Sequence, residues 1–131
     1  MMLPFIRSRL LNDTRRLGRW GEKYCRTYLK KNGYRYIAQN FRCKSGEVDL
    51  VMADTTGAIV FVEVKTRKSE TKAPAQQAVN PNKKRRLVRA ANQFVRKYNI
   101  KNKPLRFDVA AVILPVKGPI EIRHYKNAFV P

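Results

Sequence analysis

Acidic residues are scarce in this chain. Nine Asp and Glu stand against 29 Lys and Arg in 131 residues, which leaves a formal charge of +20. Such an excess opposes compaction and is usually retained for an anionic partner. Nucleic acid is the first partner it points to, and an anionic membrane surface the second. Cysteine is scarcer still. Cys25 and Cys43 are the only two, too few for a disulfide scaffold, and they read as free thiols in a reducing, cytoplasmic compartment. Two cysteines and a single histidine, His124, argue against a structural zinc site. No apolar run approaches the roughly 20 residues that span a bilayer. The opening Met1-Met2-Leu3-Pro4-Phe5-Ile6 is too short, and its arginines lie on the wrong side, for a secretory signal. No internal repeat or low-complexity block is present.

What is there suits one folded domain. The hydrophobic fraction is 44%, typical of a globular protein, and the length supports one core. The basic residues run through the whole chain, which favours a folded domain with a basic face over a disordered arm. Residues 1–12 are weakly patterned and read as a flexible basic arm or a first helical turn; residues 13–131 read as the domain. Asp13 or Thr14 can cap a helix to about residue 32, stopped by Gly33. Leu17, Trp20, Tyr24, Cys25, Tyr28 and Leu29 form its apolar stripe, and Gly18 and Gly21 suit close packing or approach of a phosphate backbone. Strands are expected at 34–42, 46–52 and 60–65, joined at Lys44-Ser45-Gly46 and Thr55-Thr56-Gly57. Residues 66–79 read as a loop. Asn80-Pro81 starts a second helix to about residue 98, with Leu87, Ala90, Ala91, Phe94 and Tyr98 as its buried stripe. Strands at 105–114 and 120–125 follow, and Phe129 packs back on the core. Helices covering a mixed five-stranded sheet give an α/β or α+β domain.

The chemistry concentrates where acids are least expected. In Val60-Phe61-Val62-Glu63-Val64-Lys65 the three valines share one face, and Glu63 and Lys65 the other. In the preceding strand Val48, Leu50 and Met52 share a face, with Asp49 opposite. Antiparallel pairing brings Asp49 near Glu63 and Lys65. Two carboxylates roughly 5 Å apart, at an effective dielectric of about 20, repel by about 3 kcal/mol. A hard divalent cation such as Mg2+ offsets that directly, and Lys65 in part. The plain alternative is a surface ion pair on a strand, worth about 0–1 kcal/mol. Glu22, at the edge of the first helix's stripe, either leans over the sheet towards this pair or pairs with Arg19 or Arg26. Asp108 is the other unexpected acid; pairing with Arg106 and a structural role are expected for it. Arg67 and Lys68, just past the acids, and Lys83, Lys84, Arg85, Arg86 and Arg89 on the second helix are the expected nucleic-acid contacts; a solvated basic face is the alternative.

A helix-borne Glu, an Asp on a strand, Glu-x-Lys on the next strand and then a helix resemble the PD-(D/E)xK nuclease core. More closely, the chain resembles the YraN-type family of small bacterial proteins. The resemblance rests on Gly21-Glu22, Asn40-Phe41-Arg42, Gly46-Glu47-Val48-Asp49-Leu50-Val51, Phe61-Val62-Glu63-Val64-Lys65-Thr66-Arg67, Arg106-Phe107-Asp108-Val109 and His124-Tyr125-Lys126-Asn127-Ala128-Phe129, in order along nearly the whole chain. It implies a restriction-endonuclease-like fold, similar to Holliday-junction resolvases, and metal-dependent phosphodiester hydrolysis, DNA before RNA. On that resemblance Asp49 and Glu63 ligate Mg2+ or Mn2+ with the main-chain carbonyl of Val64, and Lys65 activates water. Glu22 acts through water or a second metal, and Gln77 is a polar helper. Val48 replaces the proline of the superfamily's motif. A two-fold dimer would suit symmetrical cutting of a junction, although no heptad or apolar seam marks one. The competing functions are a non-catalytic nucleic-acid-binding module on the same fold and an adaptor that recruits a DNA-processing or ribosomal partner.

Overall fold

Proline and side-chain caps set the helices. The computed structural model describes residues 2–69 and 80–131, so Gln77 lies outside the described residues. Pro4 opens a short helix, α1, Pro4–Leu11, where the sequence shows no clear pattern. Arg7 ties α1 to the far end of the chain by donating to the carbonyls of Pro115 and Gly118 at 3.0 and 2.8 Å. The Asp13 carboxylate accepts the Arg16 amide at 3.2 Å and starts α2, Thr14–Lys31. Gly33, at φ +89°, turns the chain out of it, a conformation that costs glycine little. Later, Asn80 accepts the Lys83 amide at 2.9 Å and Pro81 fills the first turn of α3, Pro81–Lys97.

The strands are β1 Arg35–Cys43, β2 Gly46–Ala53, β3 Ile59–Arg67, β4 Leu105–Ile113 and β5 Glu121–Tyr125. They form one sheet in the order β1-β2-β3-β4-β5. All neighbours are antiparallel except β3 and β4, which run parallel with α3 in the crossover between them. This is the single α/β domain with a mixed five-stranded sheet that the sequence leads one to expect. Thr66 and Arg67 continue β3 instead of opening the expected loop, because their pairing with Val112 and Ile113 extends the parallel ladder.

Each face of the sheet is closed by one long helix. Cys25 and Leu29 of α2 pack on Leu50, Met52, Val60, Val62, Val64 and Ala110. Leu87, Ala91 and Phe94 of α3 pack on Val51, Phe61 and Phe107, and Phe129 returns to stack on Phe107 at 5.3 Å. Two expectations are corrected here. Val48 does not share a face with Leu50 and Met52 but joins Val51, Phe61 and Leu87. The β2–β3 ladder ends at Leu50 and Val62 while β1 goes on pairing with Val48, and Asn40, between the β1 partners of Leu50 and Val48, takes φ 51°, so the regular alternation breaks there. Tyr98 is not part of α3's buried stripe: the helix ends before it, and the side chain is 53% exposed.

Candidate functional site

The site begins where β2 leaves β3. Past the Leu50–Val62 pair the strands separate, and the Asp49 side chain takes over a ladder bond by accepting the Val64 amide at 2.8 Å. That hydrogen bond fixes Asp49 beside Glu63. Lys65 Nζ lies 3.4 Å from Glu63 Oε1, and the two side chains are only 18% and 17% exposed, so this is not the solvent-screened surface pair of the plain alternative. Asn80 and Pro81 set the start of α3, and Lys83 in its first turn reaches Lys65. The contact with Lys65 is the main reason the Lys83 ammonium is held below its ordinary range, with burial and the charge of Lys65 adding to it. The fields of Glu63 and Asp49 act in the opposite direction.

Electrostatics single out Asp49. Burial first, and the charge of Glu63 second, push its carboxyl up to about 7, against the stabilising hydrogen bond from the Val64 amide. Glu22 also faces this site from α2. Its carboxyl is raised by burial and by the field of Glu63, while a hydrogen bond from Asn40 opposes the rise. Asn40 was given no role at the site, although Asn40-Phe41-Arg42 is among the stretches that carry the resemblance. It sits within β1 at φ 51°, a left-handed conformation that asparagine tolerates better than most residues, and one that only the structure reveals. Close packing sets the two walls. A Cβ on Gly21 would collide with the Thr66 side chain, and one on Gly46 with the Arg86 carbonyl, so glycine lets α2 sit against β3 and α3 against the start of β2.

The oxygens that could hold a cation here are those of the Asp49 and Glu63 carboxylates and the Val64 carbonyl. All are hard oxygens, and one or two carboxylates completed by water and substrate phosphate suit Mg2+ or Mn2+. Among the described residues no three His, Cys, Asp or Glu side chains converge tightly enough to cage a metal unaided. Glu22 therefore belongs to the site by its field and not as a ready third ligand.

The expected nucleic-acid contacts divide by position. Lys83 stands at the acids. Arg85, Arg86 and Arg89 are exposed along α3. Lys84 is turned partly inward, its Nζ 5.4 Å from the centre of the Phe129 ring. Arg67 ends β3 partly exposed, and Lys68 is exposed next to it, on the side of α1. No helix among the described residues is long and apolar enough to cross a membrane.

Asp108 belongs to a different constellation. It is fully buried and accepts from Arg106 Nε at 2.9 Å and Nη2 at 2.8 Å, from the Asn127 amide at 2.9 Å, and lies 2.6 Å from His124 Nε2. Arg106 also reaches the Tyr34 hydroxyl at 2.7 Å and Asp54 at 3.1 Å. Burial acts to raise the Asp108 carboxyl, but these donors overcome it and hold it below its ordinary range. The sequence suggested the Arg106 partner. It gave no sign of His124, which is brought close by the antiparallel pairing of Ala110 with that residue.

A mixed sheet closed on both faces by helices, with a partly buried acid pair and lysines where its central strands diverge, defines a small α/β protein with a polar site beside those strands. The chain belongs to the uncharacterised protein family UPF0102, which it matches over residues 21–112, and this is the YraN-type family that its motifs resemble. It is 42% identical to a UPF0102 protein of Geotalea uraniireducens, covering 95% of this chain and 97% of the relative. A UPF0102 protein of Caldicellulosiruptor saccharolyticus is 45% identical over 89% of this chain and 99% of its own length. One from Pelobacter propionicus is 41% identical over 89% and 84%.

Proposed function

We propose that this protein is a metal-dependent endonuclease that hydrolyses phosphodiester bonds in DNA, with branched DNA as the preferred form, in the cytoplasm. The observation that carries the reading is the Asp49 carboxyl, fixed by the Val64 amide, crowded by Glu63 and raised to about 7 in a chain of net charge +20. A protein so poor in acids gains nothing structural from pressing two together. An arrangement that costs stability until a cation arrives is typical of a functional site.

Asp49 and Glu63, with the Val64 carbonyl, would hold Mg2+ or Mn2+. Bound there, the ion supplies Lewis-acid stabilisation of the phosphate's charge and a more acidic water. Lys65, anchored by Glu63, orients the attacking water and stabilises the negative charge that develops on the phosphoryl oxygens. The water oxygen bonds to phosphorus as the phosphorus–oxygen bond to the leaving strand breaks; the water's proton passes to solvent and the leaving oxygen takes one up. Glu22 adds negative field at the site through its water shell. Lys83 and the exposed arginines of α3 position the phosphate backbone.

The test is a gel assay on single-stranded, duplex, flap and four-way-junction DNA and structured RNA, in EDTA, Mg2+ or Mn2+. Wild type should cut a branched DNA only with metal, and Glu63→Ala should lose at least about 100-fold in rate, as expected when an electrostatic catalytic group is removed. Tight binding by both proteins with no cutting of any substrate would instead support the non-catalytic binding module.

A further inference from the structure

The end of α3 remote from the acids carries a second feature. An open groove of about 690 Å³ lies between the C-terminal turn of α3, the loop after it and the start of β1. That volume falls within the roughly 300–1,000 Å³ of sites that take small organic groups. Its floor is apolar, with Ile59 and Phe94 both buried. Its wall is Tyr98, whose ring packs 4.6 Å from Phe94 and is still 53% exposed. Arg35, Lys101 and Lys103 rim it, all exposed, and among the described residues no Asp or Glu lines it.

The groove is built by fixed backbone. Asn99 and Asn102 take left-handed conformations at φ 52° and 57°. The Ile100 amide bonds the Val95 carbonyl at 3.0 Å, and the Ile59 amide bonds the Pro104 carbonyl at 2.9 Å. These bonds hold the loop under the end of α3, so Tyr98 stands at the surface, with Lys97 Nζ 5.5 Å from its ring centre and Lys101 and Lys103 lining the same groove.

We infer that this groove binds one nucleotide of an unpaired strand, with the base stacked on Tyr98 and its phosphates against Lys101, Lys103 and Arg35. A flat apolar face under a rim of cations alone matches a base joined to phosphates. Every base offers a π-face, so the site is tolerant of sequence. In a duplex both faces of each base are covered by its neighbours, so the groove selects single strand over double strand. It rests on the reading of this chain as a nucleic-acid binder, but not on cleavage. Tyr98 follows Lys83 by 15 residues along α3, about 22 Å at 1.5 Å per residue. At roughly 3.4 Å per stacked nucleotide, a strand held at both ends needs about seven unpaired nucleotides between the groove and the acids.

The test is fluorescence anisotropy in EDTA with a labelled single strand of about 16 nucleotides, the upper end of an ordinary single-strand site, and with the blunt duplex of the same sequence. Tyr98→Leu should weaken single-strand binding by about 10-fold or more, leave duplex binding within about two-fold, and leave the melting temperature unchanged. Tyr98→Phe should bind like wild type. Replacing both Lys101 and Lys103 by Gln should lower the log–log salt slope for single strand by about 1.4. Equal binding of single strand by Tyr98→Leu and wild type overturns the inference, as does an equal loss for duplex and single strand. The same proteins in the Mg2+ gel assay separate the two readings. Cutting by wild type with no effect of Tyr98→Leu sinks the groove alone. A single-strand defect in Tyr98→Leu with no cutting by wild type sinks the nuclease alone. Wild type that binds neither form sinks both.

Discussion

Two acids in one sheet, Asp108 fully buried and Asp49 partly so, behave in opposite ways because their neighbours differ. Asp108 meets Arg106, His124 and the Asn127 amide, and is held below its ordinary range. Its contribution to stability is present above the unfolded value near 4 and lost as pH falls through the lower folded value. Asp49 meets one amide and a second carboxylate, and rises to about 7. Its unfolded value is also about 4, so its contribution is fully present below about pH 4 and lost as pH rises through about 7. The metal-free protein should therefore lose stability across that window. On the proposed metal site Mg2+ would replace the proton as the counter-charge, and it should then raise the melting temperature more at about pH 8 than at about pH 5. Asp49→Asn keeps an acceptor for the Val64 amide and removes the repulsion from Glu63. In EDTA at about pH 8 it should melt about 2–8 °C higher than wild type, as a gain near 1 kcal/mol implies, and the Mg2+-dependent shift should vanish. A variant that melts lower, or still responds to Mg2+, would show that the acid pair is already satisfied within the protein. Both acids stood out in the sequence as polar interruptions of apolar strands. Their opposite roles did not, because His124 and the Val64 amide reach them only through sheet pairing.

At the scale of the element, the same residue type carries different loads. Gly18, Gly21 and Gly46 look alike in the sequence, and two of them interrupt a helical pattern. In the fold Gly18 faces open space, Gly21 lies on the Thr66 side chain and Gly46 on the Arg86 backbone. Alanine at 18 should gain about 1 kcal/mol from helix propensity alone. Alanine at 46 must push a helix backbone aside and should cost about 1–3 kcal/mol. It should also displace α3, and with it Lys83, and so reduce any cutting by more than the stability loss explains. Urea melts of the two variants check this; a neutral Gly46→Ala would mean that α3 is free to slide along β2. The caps, stripes and strand order of this fold were legible because they are local: Asp13, Asn80-Pro81 and the alternation of Val60, Val62 and Val64 need no partner to be recognised. Val48 and Tyr98 misled for the complementary reason. The face of Val48 depends on where the β2–β3 ladder stops, and the exposure of Tyr98 on how the loop after α3 folds back. The site was legible as residue types, Asp49, Glu63 and Lys65, while Asn40 and the Lys83–Lys65 contact depend on the placement of elements far apart in sequence.

The whole molecule must fold against its own charge. With nine acids to offset 29 basic residues, the ion pairs draw on a small set of carboxylates: Arg106 with both Asp54 and Asp108, Lys65 with Glu63, Arg42 with Glu47. Most arginines and lysines therefore face one another through solvent, where repulsion extends about 30 Å at 0.01 M salt and about 8 Å at 0.15 M. Salt should act on this protein with two opposite signs. Without ligand, raising salt screens the self-repulsion and should raise the melting temperature. With nucleic acid, the same salt should lower affinity steeply, by about 10³–10⁵-fold between 50 and 200 mM if about 6–10 phosphates are contacted. Both are read from one titration series, thermal melts and anisotropy on matched samples. A melting temperature that is flat or falls with salt would mean that the excess charge is already balanced within the fold. A shallow binding slope beside a rising melting temperature would mean that the charge repels itself without gripping a phosphate backbone, and the basic face would then be a solvated surface.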